Sequence, residues 1–124
     1  MNTTISRLPS RLPTSLESWT KHDWRHGVLL PHLTPHDQLI VRTRNSTYEI
    51  IVIDPQTASV LVRGGSFFPE FSPARVAGSS LGGGFLKVHG VYAGFQMELV
   101  AGERILTTRV RTVSVLAAGI GPVM

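Results

Sequence analysis

The chain contains no cysteine, and charged and aromatic side chains are scarce, at 16% and 7% of its 124 residues. The lack of cysteine excludes disulfide bonds, thiolate zinc sites and cysteine nucleophiles. No apolar run approaches the roughly 18 residues of a membrane-spanning helix, and residues 1–7 lack the apolar core of a signal peptide. We therefore expect a soluble, cytoplasmic protein that does not bind a membrane.

Glycine, by contrast, is plentiful, with 12 residues. Few charges combined with many glycines favour short strands and tight turns over long, solvated helices. A chain of this length also buries enough surface for one hydrophobic core without a metal or a cross-link. The composition therefore predicts one small domain that is all-β or mainly β.

The apolar pattern from Asp37 onward has the period of two that is typical of strands. Apolar or β-branched residues at 39, 41 and 43, and aromatic or β-branched ones at 48, 50 and 52, flank the dipeptide Asn45-Ser46, which predicts a hairpin. Further strands are expected over 60–62, 74–77 and 104–116, with a bulge near Arg111 where the parity of the apolar residues changes. Strand character is also expected over 85–98, interrupted at Gly90 and Gly94, where glycine marks a bulge or a corner. About six short antiparallel strands in succession resemble, in architecture alone, SH3-like or OB-like small barrels.

The residues on either side of this pattern lack its period of two. Residues 1–36 are expected to form an N-terminal arm, because a repeated Ser-Arg-Leu-Pro favours extended chain. A capping box from Thr14 to Glu17 predicts one short helix in this arm, at about residues 15–26, followed by irregular chain over 28–36. Residues 37–116 are the predicted barrel domain, and residues 117–124 are expected to be a flexible tail.

Three phenylalanines, Phe67, Phe68 and Phe71, lie in a stretch bounded by glycine and proline. Such a stretch is too apolar for an ordinary exposed loop, so it either plugs an open barrel end or forms a patch that a partner buries. The patch is the leading hypothesis. It predicts a non-catalytic interaction module that binds a partner protein or self-associates through these phenylalanines, together with Trp19 and Trp24.

Arginine supplies ten of the 12 basic residues, and Arg42, Arg44, Arg109 and Arg111 fall on predicted strands. The alternative hypothesis is therefore a barrel that binds RNA or single-stranded DNA through these four arginines. The distribution of charge argues against it, because residues 1–36 contain four basic and two acidic residues, and residues 37–124 contain eight basic and six acidic residues. Arginines with intervening acids more often form a solvated surface.

The remaining motifs are weaker. His22 and His26 have the spacing of two metal ligands on one helix face, but prolines at 31 and 35 prevent a second helix from completing the site, so we expect no metal. The glycine-rich segment 78–84 is not a phosphate-binding loop, because Lys87 does not directly follow the last glycine. No catalytic constellation is readable, and we expect neither enzyme activity nor a cofactor.

Overall fold

Strands make up most of the residues that the structure describes, as the scarcity of charge and the period of two predict. The computed structural model describes residues 26–81 and 86–118. Within these ranges the helical element is one 3₁₀ turn, Leu30–His32, and no helix there has the length and apolar character to cross a membrane. The strands are, in chain order, β1 (Gly27–Leu29), β2 (Gln38–Thr43), β3 (Thr47–Asp54), β4 (Ser59–Gly64), β5 (Phe68–Ser80), β6 (Leu86–Val88), β7 (Gly90–Tyr92), β8 (Gln96–Ala101) and β9 (Glu103–Leu116). The prediction of a mainly β protein is confirmed.

The strand pairs of the described residues are antiparallel and form one sheet of two strands and one of seven. β1 pairs with β7 in the small sheet. The large sheet has the order β4-β3-β2-β9-β8-β5-β6, and β4 pairs in addition with β5. Each of the six strands β2, β3, β4, β5, β8 and β9 therefore has a hydrogen-bonded neighbour on both sides.

The two long strands, β5 and β9, change partners part-way along. β5 pairs with β4 up to Arg75 and with β8 from Arg75 onward. β9 pairs with β8 in its first half and with β2 in its second half. In the second half, Thr112 and Val110 lie opposite consecutive residues of β2, which leaves Arg111 as an extra residue. The bulge predicted near Arg111 is confirmed, and a bulge of this kind bends the strand that carries it.

The core consists largely of the alternate strand residues that the pattern predicts to point inward. Buried and less buried residues alternate along β2, β3 and β4, which is the signature of a sheet with one covered face. Most of the inward positions hold β-branched or other aliphatic residues, which pack well on a pleated surface. The fully buried residues include Leu39, Val41, Ile50, Val52, Val62, Val76, Val91, Met97 and Leu99.

The start of the described chain is more regular than expected. Val28 pairs with Val91, and the Leu30 N–H donates a hydrogen bond to the His89 carbonyl at 2.9 Å. The Leu30 side chain is fully buried in the core. The expectation of irregular chain over 28–36 is therefore wrong for residues 28–32, because a three-residue strand is too short to leave an alternating pattern.

One predicted segment agrees with the structure and another differs from it. The strand character expected over 85–98, with interruptions at Gly90 and Gly94, corresponds to β6, β7 and β8, which are separated by His89 in a left-handed conformation at φ 59° and by a turn with Gly94 at φ 95°. The chain after Phe67, expected as a loop, is the first part of β5. Pro69 and Pro73 weakened the strand signal there, since proline in a strand is restricted to edges and bulges.

Asp37 ties the residues before β2 to the end of β9. Its carboxylate accepts hydrogen bonds from the N–H groups of Thr34, at 2.9 Å, and Ala118, at 2.7 Å, and from the Thr34 hydroxyl at 3.0 Å. These donors favour the ionised form and hold the pKa of Asp37 below its usual value, with the Thr34 N–H as the largest cause.

Residues 1–25 of the predicted arm, nearly all of the predicted helix and most of the predicted tail lie outside the described residues. Of the helix expected at about residues 15–26, only His26 is described, and of the tail only Ala117 and Ala118. The division of the chain into residues 1–36, 37–116 and 117–124 stays a prediction.

Candidate interaction surfaces

The structure separates the three phenylalanines of the predicted patch. Phe68 begins β5 and is only 3% exposed, within the same core cluster as Val60 and Val62. Phe67 precedes it in the turn and is 59% exposed, and Phe71 is 36% exposed. Phe68 therefore fills the core, as the plug interpretation expects, whereas Phe67 and Phe71 remain on the surface, as the patch interpretation expects.

The placement of Phe68 corrects its assignment as a contact residue. Phe68 is the first residue of β5, and its side chain is buried in the core, whereas Phe67 precedes the strand and is exposed. A buried aromatic side chain is not available to a partner unless the core opens. Phe68 is a structural residue, and the candidate surface retains Phe67 and Phe71.

Phe71 packs against a charged pair on the outer face of the sheet. The Arg63 guanidinium lies 4.3 Å from the centroid of the Phe71 ring, within the range of a cation–π contact. The same guanidinium forms an ion pair with Glu49 on β3. Both charged side chains are close to half-exposed, so the pair orients the Phe71 ring more than it stabilises the fold.

Phe67 stands at the rim of a surface groove of about 560 Å³. The groove is lined by Phe67, Phe68, residues 72–75 of β5 and residues 100–102, where β8 turns into β9. We call Phe67, Phe71, residues 72–75 and residues 100–102 the Phe67 surface. Apart from its glycine, serine and arginine, this surface presents apolar side chains next to an aromatic ring, which is the composition of a protein contact more than of a polar ligand site.

The backbone beside this groove is protected against the addition of a strand. Among the described residues, β5 before Arg75 pairs with β4 alone, which leaves its other edge open next to the groove. Pro69 and Pro73 lie in this stretch and have no N–H to donate to an added strand. The arrangement therefore favours contact through side chains over pairing of backbones.

Three of the four candidate arginines meet at a second site. Arg42 on β2, Arg44 in the following turn and Arg111 on β9 line one pocket of about 430 Å³. The other lining residues carry hydroxyl or amide groups or hydrogen-bonding backbone and contribute no carboxylate: Thr43, Asn45, Ser46, Thr47 and Thr112. We call this the arginine pocket.

The antiparallel pairing of β2 with β9 explains the pocket. Arg42 lies opposite Thr112, so the bulged Arg111 is next to it on the neighbouring strand. No carboxylate within residues 26–81 or 86–118 forms an ion pair with Arg42, Arg44 or Arg111. Like charges held together without a counter-charge create a positive potential that attracts anions.

Arg109 does not belong to the pocket. Its guanidinium donates a hydrogen bond to the Gly94 carbonyl at 2.9 Å, beside the turn between β7 and β8. The sequence grouped it with Arg111 because both fall on the last predicted strand, but the irregular register between β8 and β9 and the bulge at Arg111 interrupt the alternation between them.

Several candidate residues fall where the structure gives no description. Trp19, Trp24 and His22 lie outside the described residues, so the paired-histidine metal site stays untested. His26 is described and exposed, and no group of three or more potential ligands gathers within the described ranges. Residues 82–84 of the glycine-rich segment lie outside as well, but Gly78 is described, and a Cβ there would be 2.2 Å from the Lys87 carbonyl oxygen of the paired strand β6.

The sequence did not predict the polar residues that line the arginine pocket, nor the contribution of residues 100–102 to the groove beside Phe67. The turn at Asn45-Ser46 was visible, but nothing local to it indicates that Arg111, far along the chain, packs beside it. Comparison with models of protein families, with curated proteins and with solved structures finds no match for this chain.

Proposed function

We propose that this protein is a non-catalytic β-domain that associates, through the Phe67 surface, with a second copy of itself or with a partner protein. The observation that carries the proposal is that Phe67 is 59% exposed and lines a groove together with several apolar side chains. A phenylalanine buries roughly 150–250 Å² when it is covered. Aromatic side chains that fill a partner's pocket supply much of the binding energy of protein interfaces.

We also propose that the six strands with two neighbours each form a closed small barrel of the SH3-like or OB-like type. The support is that β4 and β5, the first and last strands in the order β4-β3-β2-β9-β8-β5, also pair with each other. Closure removes most exposed strand edges. An association of such a domain then depends on side chains, which agrees with the prolines beside the groove.

The test of self-association compares two aspartate variants. Phe67→Asp places a charge in the proposed contact, and Val88→Asp is a matched control because Val88, on the edge strand β6, is 58% exposed. In sedimentation velocity at rising protein concentration, the wild type and Val88→Asp should associate while Phe67→Asp stays monomeric. A monomeric wild type at every concentration, or equal association of both variants, contradicts this form of the proposal.

The partner-protein form has its own test. A photo-crosslinking amino acid is placed at position 71 and, in a control variant, at position 88 of the protein expressed in cells. A defined crosslinked protein that appears at position 71 alone is the expected result. No crosslink at position 71, or the same products from both positions, would contradict a partner at the Phe67 surface.

A second candidate function is the binding of single-stranded nucleic acid at the arginine pocket. The favouring observation is that Arg42, Arg44 and Arg111 line one pocket that has no carboxylate. Arginine recognises phosphate with a planar, bidentate set of donors, and the hydroxyl and amide groups around it add hydrogen bonds to sugar and phosphate oxygens. The net charge of +4 agrees with an anionic partner.

Binding of labelled single-stranded RNA or DNA, measured by fluorescence anisotropy at several salt concentrations, tests this function. Arg111→Ala should weaken binding and reduce the salt slope by about 0.7 for a lost phosphate contact. Arg75→Ala removes the same charge from an exposed site outside the pocket and should change binding little. The absence of binding at low salt, or equal effects of both variants, would refute a specific site.

A further inference from the structure

A third concave surface lies between β1 and the second half of β9. This groove has a volume of about 440 Å³ and is lined by His26, Gly27, Val28 and Ala93, next to β1 and β7, and by residues 111, 112, 113 and 115 of β9. We call it the β1–β9 groove. The groove shares Arg111 and Thr112 with the arginine pocket, and it shares no lining residue with the Phe67 surface.

The groove exposes side chains that belong to the inner face of the sheet. Val113 lies opposite Val41, and Val115 lies opposite Leu39. Residues directly opposite in an antiparallel pair share a face, and both Val41 and Leu39 are fully buried. Val115 is nevertheless 44% exposed. An inward-facing valine is therefore left uncovered by residues 26–81 and 86–118.

The edge of β9 beside this groove is also open. In the part of the chain that the structure describes, β9 beyond Val110 pairs with β2 alone. β1, across the groove, pairs with β7 alone. The valines of the groove therefore lie between two strands, β1 and β9, that have no hydrogen-bonded neighbour on this side. A side chain that covered these valines would remove apolar surface from water.

The chain itself supplies a side chain suited to this groove. His26, the first described residue, lines the groove, and 25 residues precede it, with Trp24 only two positions away. Two residues span at most about 7 Å, so a side chain two positions before His26 is on a short enough tether to reach the groove. A tryptophan carries roughly 150–250 Å² of surface to bury, and the Arg111 guanidinium at the groove is a suitable cation for its ring.

We propose that the N-terminal segment packs back on its own domain, with Trp24 seated in the β1–β9 groove over Val113 and Val115. A tether of two residues gives Trp24 an effective concentration in the millimolar range or above, so it competes well with any second copy. Trp24, predicted from the sequence as a partner contact, is then an internal contact that completes the core. The proposal is independent of the Phe67 surface.

Tryptophan fluorescence tests the proposal directly, because the chain has only two tryptophans, Trp19 and Trp24. Trp19→Phe makes Trp24 the sole reporter. In that background the emission maximum should lie at a shorter wavelength than in denaturant, and quenching by acrylamide should be several-fold weaker. Emission and quenching equal to those of the denatured chain would overturn the proposal.

Variants of the groove locate the contact. Val115→Asp in the Trp19→Phe background should shift the emission to longer wavelength and increase quenching several-fold, and Val115→Ser, which disturbs folding less, should do so to a smaller extent. Val88→Asp is the control at an exposed valine away from the groove. Far-UV circular dichroism verifies that each variant remains folded.

Two outcomes would overturn the assignment even if Trp24 is protected. Protection that is unchanged in Val115→Ser and in folded Val115→Asp would place Trp24 elsewhere. Protection that disappears on dilution would show that the groove binds the segment of a second copy and not of the same molecule.

Discussion

Truncation of two adjacent phenylalanines should have opposite consequences for folding and association. Phe68 is 3% exposed in the core, whereas Phe67 is 59% exposed. Replacement of a buried phenylalanine by alanine costs about 3–5 kcal/mol, because transferred apolar surface is lost and a cavity remains. An exposed substitution costs within about 0.5 kcal/mol. At roughly 4 °C per kcal/mol for a domain of this size, Phe68→Ala should lower the Tm by about 12–20 °C, and Phe67→Ala by at most a few degrees.

The assay is chemical and thermal denaturation followed by far-UV circular dichroism at a protein concentration low enough to prevent association. Phe68→Leu, which keeps most of the buried volume, provides a measurable intermediate if Phe68→Ala does not fold. Similar losses of stability for Phe67→Ala and Phe68→Ala would refute the division of the segment into a core residue and a surface residue. The Phe67 surface would then be part of the core, and the proposed contact would fail with it.

Two further predictions concern stability alone. The N–H groups of Thr34 and Ala118 lower the pKa of Asp37 in the folded protein. The stabilisation by the Asp37 carboxylate is therefore complete above its unfolded pKa of about 3.8 and is lost as the pH falls through the lower folded value. The decrease of Tm from neutral to acidic pH should be smaller in Asp37→Asn than in the wild type. Gly64 has φ +137° and an added Cβ would be 2.2 Å from a backbone oxygen, whereas Gly102 at φ +79° has nothing within 4 Å. Gly102→Ala should therefore cost about 1–2 kcal/mol for the left-handed backbone, and Gly64→Ala should cost more, as equilibrium unfolding in urea would show; equal costs would contradict the close approach.

Much of the fold was predictable because most strands show the alternating apolar pattern within their own residues. The hairpin around Asn45-Ser46 pairs as the period of two predicts, and the change of parity in the last strand located the bulge at Arg111. The β1 strand and the start of β5 were not predictable. One is too short for a pattern, and the other contains two prolines, which a sequence pattern reads as loop even where an open edge tolerates them.

The candidate sites were less predictable, since they depend on which strands become neighbours. The sequence identified the phenylalanines but not which of them faces the core, because the alternation could not be anchored through a segment read as a loop. It grouped four arginines, whereas the bulge and the pairing of β2 with β9 bring together Arg42, Arg44 and Arg111 and leave Arg109 apart. Neither result follows from residues close in the sequence.

The lack of cysteine makes the most direct test of the Phe67 surface possible, because a single introduced thiol is the only one in the chain. Ser66→Cys places it beside Phe67, and Ser114→Cys places it at another exposed serine, on β9. The rate of thiol labelling is measured as the protein concentration rises through the range in which the wild type associates. We predict that labelling slows at position 66 and stays constant at position 114. Labelling at position 66 that is as fast in the associated protein as in the monomer would contradict the assignment of the Phe67 surface as the contact.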